Sequence, residues 1–300
     1  MVMSNHSSNL REKIEKTSLK NLYPFRSNFL DIDNKQYHYI DEGSGDPVLM
    51  VHGNPTWSFY YRNLATALKG TNRVIAPDHI GCGLSDKPQD FEYTLENHIE
   101  NLKKLVRFLD LKNITLVVHD WGGAIGFGLA TAMPELIKRI VILNTAAFHM
   151  NRIPFTIGLC KNKFFGKFIV KKFNAFAWPA TFMATSKGLE YNVKQGYLLP
   201  YDNSKNRIAV AEFVKDIPLK ENHRSFETLN SIEKKLKTLK CPKLILWGGK
   251  DFCFNDHFFR KWQDIYPDAY YKYYKDAGHY VLEDEQKDVI QNIKDFMDRA

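Results

Sequence analysis

Short apolar runs alternate with longer amphipathic segments along most of this 300-residue chain. Runs of this kind, bounded by glycine, proline or polar residues, are typical of strands buried on both faces of a parallel sheet. Strands are predicted at residues 47–51, 73–78, 114–118, 139–144, 242–248 and 269–274, with a hairpin over residues 29–39. Helical periodicity lies between them, at residues 57–68, 95–109, 124–130 and 289–299. The alternation predicts an α/β fold with a mostly parallel, doubly wound sheet and right-handed crossovers.

The alternation stops between residues 146 and 223, where aromatic and basic residues dominate. We interpret this segment as an inserted helical cap between two core segments, residues 1–145 and 224–300. Ligands of open α/β sheets bind beyond the carboxyl ends of the strands, so a cap here would cover the site and exclude water. Four aromatic residues are candidates for the substrate pocket: Phe148, Phe173, Phe176 and Trp178. The alternative is a set of further core-packing helices with no covering role.

Composition narrows the class of protein. An apolar content of 44% and a charged content of 25% are ordinary for a soluble globular protein, and no apolar run is long enough to cross a membrane. The N-terminus lacks the apolar core of a signal peptide, and residues 1–22 are expected to form a flexible helical arm. Four widely spaced cysteines form no metal or redox pattern, so we expect a cytoplasmic protein with no metal and no other cofactor. A net charge of +8 without an arginine-rich arm argues against nucleic-acid binding.

The most informative stretch of the sequence follows the strand at residues 114–118. His119, Asp120 and Trp121 are succeeded at once by two glycines and an apolar helix. Small residues are needed where a strand turns sharply into a helix, so this layout is that of a nucleophile elbow with Asp120 at its apex. A carboxylate attacks carbon directly and forms an ester, which favours displacement at a carbon that bears a leaving group. The alternative is that Asp120 is the N-cap of the helix.

His279 and Asp251 are the predicted partners of Asp120. Asp251 follows the strand at residues 242–248 and His279 follows the strand at residues 269–274, so both should lie at the carboxyl edge of the sheet. The order nucleophile, acid, histidine is that of the α/β-hydrolase fold. His279 would activate water or move a proton. Asp251 would hold the imidazole tautomer and stabilise its charged form.

Asn54 and Trp121 are predicted to stabilise the negative charge of a leaving group. Asn54 follows the first buried strand and offers a backbone and a side-chain donor, while Trp121 offers its backbone amide and an indole N–H. Donors that converge beside a carboxylate suit a halide, an alkoxide or a developing carboxylate. The alternatives are a turn residue before proline for Asn54 and a packing aromatic for Trp121.

These residues together resemble the haloalkane dehalogenase superfamily, with its aspartate nucleophile, adjacent tryptophan, His-Gly-Asn-Pro loop, and late aspartate and histidine. Longer strings resemble one branch more closely, the β-lactone decarboxylases of bacterial long-chain olefin biosynthesis. The strings lie at residues 52–62, 76–85, 144–149, 173–177, 200–202, 206–208 and 213–219. The resemblance runs from about residue 23 to the C-terminus. The cap strings carry the assignment to the branch because caps vary with substrate.

The resemblance implies a cis-3-alkyl-4-alkyl-oxetan-2-one substrate that loses carbon dioxide to give a cis-alkene through Asp120. It also implies the β-lactone synthetase and other olefin-pathway enzymes as partners. Asn144 occupies a place where some branches carry the triad acid as glutamate, which leaves Asp251 for that role. Two alternatives stay open. One is a haloalkane dehalogenase that hydrolyses carbon–halogen bonds through an ester on Asp120, and the other is a non-catalytic binding protein, since a fold alone fixes no chemistry.

Residues 161–173 form a basic, aromatic segment that this chemistry does not use. The segment interleaves five lysines with four phenylalanines, a composition typical of peripheral membrane segments. We expect it to rest on anionic lipid at the inner face of the membrane or on a partner enzyme. Replacement of Lys163, Lys167 and Lys171 by glutamine should then abolish binding to anionic vesicles. The alternative is a solvated basic helix packed on the core.

Overall fold

A mixed sheet forms the centre of the computed structural model, which describes residues 5–150, 153–162 and 165–299. The strands are β1 Asn28–Ile32, β2 Lys35–Glu42, β3 Pro47–Val51, β4 Arg73–Pro77, β5 Ile114–Asp120, β6 Ile137–Thr145, β7 Lys243–Gly248 and β8 Tyr270–Tyr274. They lie in the order β1-β2-β4-β3-β5-β6-β7-β8. β2 runs antiparallel to β1 and β4, and the other neighbouring pairs are parallel. This topology confirms the predicted mostly parallel α/β sheet.

The central strand β5 shows why the apolar runs became strands. It is buried over its whole length, and in register Val118 lies between Val51 of β3 and Ile142 of β6. A strand covered on both faces of the sheet needs an unbroken apolar run. Because β3, β5, β6, β7 and β8 are parallel, their carboxyl ends lie at one edge of the sheet. The residues that follow these strands are therefore brought together there.

Helices cover both faces of the sheet. They are α1 Asn5–Glu15, α2 Leu19–Leu22, α3 Arg62–Leu68, α4 Leu95–Phe108, α5 Trp121–Ala132, α6 Phe155–Cys160, α7 Gly166–Phe173, α8 Ala177–Met183, α9 Tyr191–Leu198, α10 Ile208–Lys215, α11 Phe226–Lys235, α12 Asp256–Ile265, α13 Val281–Asp284 and α14 Gln286–Arg299. Short 3-10 helices lie at Ser58–Tyr61, Pro134–Leu136, Leu199–Tyr201 and Leu236–Thr238. One face buries Leu102, Phe127 and Trp262, and the other buries Leu64 and Ile293. Full burial of such a side chain stabilises the fold by about 1.5–3 kcal/mol.

The N-terminal helices pack on the body of the protein. Leu10 and Ile14 of α1 and Leu19 of α2 are buried in the same cluster as the helices of one sheet face. Apolar residues one turn apart give α1 a buried stripe despite its polar composition. The expectation of a flexible arm is therefore wrong for residues 10–22.

The segment at residues 146–223 contains α6 to α10 in its described part. A separate cluster of buried side chains joins α7, α8 and α10: Val170, Ala177, Tyr201, Val210 and Ala211. The segment is tied to the core through Glu283, which forms a buried ion pair with Arg62 over 2.6 Å and accepts a hydrogen bond from Tyr197 of α9. None of the helices in the described ranges is both long and apolar enough to cross a membrane.

Candidate active site

Asp120 lies at the sharp turn between β5 and α5. Its φ of 52° with a ψ of −128° is a conformation that residues other than glycine rarely adopt. Backbone strain of this kind persists only where the surroundings enforce it, commonly at functional sites. The turn is also crowded, because a Cβ at Gly122 would lie 1.9 Å from the carbonyl oxygen of Val51. The two glycines of the sequence motif are thus explained by a strained turn that presents Asp120 beyond the strand ends.

The Asp120 carboxylate is buried and has two defined neighbours. The backbone N–H of Asn54 donates to Oδ1 over 2.6 Å, and His279 Nε2 lies 3.6 Å from Oδ2. A Cβ at Gly53 would lie 2.1 Å from Oδ1, so glycine is what lets this loop approach the carboxylate. The Asp120 side chain makes no hydrogen bond that caps α5, a helix that lies wholly within the described part of the chain. Asp120 thus occupies the N-cap position of α5, as the alternative supposed, but its carboxylate does not cap the helix and instead accepts from the Asn54 N–H.

The charged groups Asp120, His279 and Asp251 stabilise one another's ionised forms. Burial acts to raise the pKa of Asp120, but the neighbouring His279, its Nε2 3.6 Å from Oδ2, outweighs burial and holds that pKa below its usual 3.8. Burial likewise acts to lower the pKa of His279, but Asp251 and Asp120 outweigh it and raise that pKa to about 10. At neutral pH the site thus holds an imidazolium between two carboxylates. Asp120 is ionised without the help of a base.

Asp251 orients the imidazole of His279. His279 Nδ1 donates to Asp251 Oδ2 over 2.7 Å. Asp251 Oδ1 accepts from the backbone amides of Cys253 and Phe254, at 2.6 and 3.0 Å. The side-chain Nδ2 of Asn144 donates to Oδ2 over 2.9 Å. These bonds leave the carboxylate no freedom to rotate, so the imidazole has one orientation.

Asn144 is itself fixed by the end of β7. Its Nδ2 donates to the carbonyl oxygen of Gly248 over 3.0 Å, and the Gly248 N–H donates to Asn144 Oδ1 over 2.8 Å. Asn144 is thus a neutral amide, held by Gly248, that positions the carboxylate of Asp251. Among the described residues, Asp251 is the carboxylate bonded to Nδ1 of His279.

The backbone on both sides of His279 is anchored. The N–H of Gly278 donates to Asp284 Oδ2 over 2.7 Å, and the N–H of Tyr280 donates to the carbonyl oxygen of Ala184 over 2.7 Å. These two bonds tie the loop of His279 to α13 on one side and to the end of α8 in the cap on the other.

His119, the residue before Asp120, also anchors the loop of His279. Its Nε2 donates to the carbonyl oxygen of His279 over 2.9 Å. Its ring stacks on Tyr60 with centroids 4.3 Å apart and contacts the His279 ring at a tilt, with centroids 4.4 Å apart. Burial, and then the charge of His279, lower the pKa of His119 to about 3. His119 is therefore neutral and supports His279 without competing for its proton.

Asn54 and Trp121 border the space next to Asp120, with fewer available donors than expected. The Asn54 backbone N–H is bonded to Asp120 itself, and its side-chain Nδ2 donates to the carbonyl oxygen of Val210 over 3.2 Å. A second N–H remains on that Nδ2. The half-buried Trp121 ring packs on Phe213 with centroids 5.3 Å apart, and no described residue accepts from its indole. The site thus retains one side-chain N–H from each residue.

A largely apolar cavity begins at Asp120 and His279 and continues beneath the cap. It encloses about 1340 Å³ when its open mouth is included. Its wall joins residues of the core loops with residues of the cap. Apolar residues that line it include Phe148, Met150, Ile153, Pro154, Ile157, Phe176, Pro179, Met183, Val214, Leu219, Phe254 and Phe258. A wall of this kind suits a ligand with alkyl chains and keeps water away from the carboxylate.

Two of the four predicted pocket aromatics lie elsewhere. Phe148 and Phe176 line the cavity. The expectation for Phe173 and Trp178 is wrong, because their side chains are 67% and 57% exposed on the outer surface. Phe173 is the last residue of α7. Trp178 of α8 is not among the residues that line the cavity, whereas Pro179 and Met183 of the same helix are.

Three residues that support the site were missed in the sequence. The ring of Phe254 stacks on His279 with centroids 5.6 Å apart and planes at 19°, while Asp284 and His119 anchor the His279 loop. Phe254 lies three residues after Asp251 and His119 lies directly before Asp120. Their closeness in sequence to predicted site residues could have indicated that they contact the site. Asp284 lies within a short helix, and its role depends on a contact with the cap that no local pattern indicates.

These features define an α/β-hydrolase fold with the buried carboxylate of Asp120 at the turn between β5 and α5. Comparison with known proteins agrees, because a family model for the alpha/beta hydrolase fold matches residues 46–286. The chain belongs to the α/β-hydrolase family and is an enzyme of that family.

Named relatives place it more narrowly. A cis-3-alkyl-4-alkyloxetan-2-one decarboxylase of Shewanella oneidensis is 48% identical, over 93% of this chain and 90% of that protein. A decarboxylase of the same name from Xanthomonas campestris is 38% identical, over 87% and 92%. Haloalkane dehalogenase 2 of Mycobacterium tuberculosis is 30% identical, over 88% and 92%. The solved haloalkane dehalogenase DatA from Agrobacterium tumefaciens superposes with a TM-score of 0.84 at 25% identity, covering 91% of this chain and 96% of that one. The chain is thus more similar to these decarboxylases than to these dehalogenases.

Proposed function

We propose that this protein is a cis-β-lactone decarboxylase of olefin biosynthesis, which converts a cis-3-alkyl-4-alkyloxetan-2-one to a cis-alkene and carbon dioxide. The observation that carries the proposal is the ionised Asp120 at the base of an apolar cavity, 3.6 Å from His279, which Asp251 orients. The 48% identity to a decarboxylase supports the substrate class. The apolar wall suits the two alkyl chains of such a lactone.

The first step is opening of the lactone ring. Oδ2 of Asp120 attacks C4, the saturated ring carbon that carries an alkyl chain, and the bond from C4 to the ring oxygen breaks with its electron pair on oxygen. Asp120 becomes an alkyl ester, and the former ring oxygen becomes part of a carboxylate on the neighbouring carbon. Oδ1 keeps its bond to the Asn54 N–H, so Oδ2 is the freer oxygen. Attack at the carbonyl carbon would give an anhydride and an alkoxide, which do not fragment to an alkene.

The second step is fragmentation of the ester. The bond to the new carboxylate breaks as carbon dioxide leaves, and its electron pair forms the double bond. The carbon–oxygen bond to Asp120 breaks at the same time and restores the carboxylate. No water and no external proton are consumed. Attack from the back of the ring followed by antiperiplanar departure of the two groups keeps the alkyl chains cis.

The neighbours of Asp120 stabilise the charge that moves in these steps. His279 is an imidazolium next to the carboxylate that is consumed and restored, and Asp251 holds it there. The remaining side-chain N–H of Asn54 and the indole N–H of Trp121 are donors for the carboxylate released from the ring. The apolar cavity excludes the water that would otherwise hydrolyse the ester.

Product analysis tests the proposal. Purified protein is incubated separately with a cis- and a trans-3,4-dialkyl-2-oxetanone, and the alkene is measured by gas chromatography. We expect cis-alkene and an equal amount of carbon dioxide from the cis lactone, and none from the Asp120→Asn variant. Absence of alkene with the cis lactone, from protein shown to be folded by circular dichroism, would overturn the proposal.

A haloalkane dehalogenase is the second candidate. It is supported by the same Asp120, His279 and Asp251 arrangement and by the 30% identity to a haloalkane dehalogenase. Its reaction needs His279 as a base for water, and esterification of Asp120 removes one of the charges that raise the pKa of His279. Incubation with 1,2-dibromoethane and long-chain haloalkanes, with release of halide as the readout, tests this candidate. The third alternative, a non-catalytic binding protein, is not retained because the chain belongs to an enzyme family.

We infer that the reaction takes place in the cytoplasm, at the inner face of the membrane. All four cysteines are free thiols, as in a reducing compartment, and a dialkyl lactone is poorly soluble in water. The partners that fit this function are the β-lactone synthetase that supplies the substrate and other enzymes of olefin biosynthesis. Fractionation of cells followed by immunoblotting tests the location, and co-purification tests the partners.

A further inference from the structure

Large apolar side chains are concentrated on the outside of the cap. Seven of the twelve that are exposed among the described residues lie within residues 159–183, and they form what we term the outer cap surface: Leu159, Phe165, Phe168, Phe173, Trp178, Phe182 and Met183. Four of the other five are tyrosines, whose hydroxyl groups tolerate water. Exposed apolar side chains at this density usually mark an interaction site.

Two pairs of rings dominate the outer cap surface. Phe168 and Phe173 of α7 have centroids 5.9 Å apart, and Trp178 and Phe182 of α8 have centroids 5.0 Å apart. Trp178 and Phe182 are one turn apart and project from one side of the helix. Other residues of α8 line the cavity. A single helix therefore separates the active-site cavity from an exposed aromatic surface.

The charge of this region has one sign. Residues 146–189 contain seven lysines and arginines and no aspartate or glutamate, whereas the whole chain has 42 basic and 34 acidic residues. Lys172 is exposed on α7, which also carries Phe168 and Phe173. Lys167 is 52% exposed and is bonded to Glu212 of α10 over 2.6 Å, and Lys171 is bonded to Gln89 over 3.2 Å.

These hydrogen bonds and ion pairs weaken the expectation that Lys163, Lys167 and Lys171 bind anionic lipid. Lys163 lies outside the described residues, and Lys167 and Lys171 already have partners within the protein. Lys161 is directed inwards, since its Nζ donates to the carbonyl oxygens of Lys215 and Ile217 at 2.6 and 2.7 Å. The exposed rings, rather than the lysines, are therefore the main feature of the surface.

We propose that the outer cap surface docks on an anionic phospholipid bilayer and receives the substrate from it. Aromatic rings are favoured at the level of lipid headgroups, and basic side chains around them are attracted to anionic lipid. Met183 gives the route, because it is 41% exposed and also lines the cavity. A bilayer fits better than a protein partner because the surface offers exposed rings beside the cation of Lys172, with few groups among the described residues that would specify one geometry. The identity of the transferred substrate rests on the proposed function, whereas the docking does not.

Vesicle sedimentation tests the proposal. Wild-type protein is mixed at low ionic strength with vesicles of phosphatidylcholine alone or with added phosphatidylglycerol, and the bound fraction is measured after centrifugation. The test variant carries Phe168→Ser and Trp178→Ser, which are 58% and 57% exposed. The control variant carries Phe108→Ser and Tyr270→Ser, which are 59% and 57% exposed at sites away from the cap. Because the replaced rings are equally exposed, the two variants should lose similar amounts of folding stability.

We expect the wild type and the control variant to bind vesicles that contain phosphatidylglycerol. We expect the test variant to bind at least about tenfold more weakly, since it lacks two rings that insert into the headgroup region. No binding by the wild type would overturn the proposal and would leave the surface to a protein partner. Equal weakening in both variants would also overturn it. Because the readout is binding, a failure of the proposed decarboxylation leaves this result unaffected, and lactone turnover in detergent remains a separate measurement.

Discussion

The two walls of the active-site cavity are held in different ways. At the sheet edge, directional bonds of 2.6–2.9 Å fix Asp120, Asp251 and Asn144. In the cap, Phe176 and Met183 face the same space as part of a wall made mainly of apolar residues. Hydrogen bonds lose strength steeply with distance and angle, whereas apolar packing tolerates rearrangement. The chemistry should therefore depend sharply on the sheet edge, while the fit of alkyl chains should vary smoothly with the cap.

The largest effect should come from Asp120→Asn. The amide keeps the shape of the side chain but has no nucleophilic oxygen, so alkene formation should fall by roughly 10⁴-fold or more, as for other nucleophiles. Rates of alkene formation under single-turnover conditions measure this. A variant that keeps more than about a hundredth of wild-type activity would show that the sheet edge does not carry the chemistry.

The next largest effect should come from the two side-chain donors. Asn54→Ala and Trp121→Phe should each lower kcat by about a hundredfold, as loss of an oxyanion donor does. Trp178→Phe is the matched control, because that indole lies on the outer surface and should leave kcat unchanged with a lactone dispersed in detergent. Near-wild-type rates in both donor variants would mean that the charge develops elsewhere.

A smaller effect is expected for Asn144→Ala. Asn144 acts through Asp251, and its removal should let that carboxylate rotate and lower kcat by about tenfold, as removal of the residue that orients a functional ligand does elsewhere. The KM should stay close to that of the wild type, because Asn144 is not among the residues that line the cavity. A rise in KM with unchanged kcat would contradict a positioning role.

Substitutions in the apolar wall of the cap should change the KM gradually. Phe176→Ala should raise KM for long-chain lactones by a few-fold for each substrate methylene that no longer packs against the ring, since a buried methylene contributes about 0.8 kcal/mol. The kcat should stay nearly unchanged. Phe108→Ala is the control, because its ring is 59% exposed at a site away from the cap. A fall in kcat in Phe176→Ala as large as that in Trp121→Phe would remove the distinction between the two walls.

The last effect concerns stability rather than turnover. The pKa of His279, about 10, is above its ordinary 6.5, so protonation favours the folded state. This contribution is fully present below pH 6.5 and is lost as the pH rises through about 10. Urea denaturation should show a larger decrease in unfolding free energy between pH 6.5 and 10 in the wild type than in His279→Gln. Equal decreases would show that His279 is not an imidazolium in the folded protein.

The sequence predicted the sheet edge well and the cap poorly, for a physical reason. Asp120, Asp251 and His279 each follow a buried strand, and parallel strands bring such positions together whatever else the fold contains. The faces of α7 and α8 depend instead on which helices pack against them, and this packing joins residues far apart in the chain. The aromatic character of Phe173 and Trp178 therefore gave no indication of which side they occupy. The buried stripe of α1 was missed because it consists of few residues in a polar segment.

The anchoring of the His279 loop to the cap makes proton binding and ligand binding reciprocal. Tyr280 is bonded to Ala184 at the end of α8, and Asp284 accepts from both Gly278 and the N–H of Ser186. Anything that shifts this end of the cap also shifts the imidazole and its distance to Asp120. A coupling free energy between two sites acts equally in both directions. An inert alkyl ligand in the cavity that changes the proton affinity of His279 does so by some factor. The affinity of the protein for that ligand must then change by the same factor when His279 loses the proton.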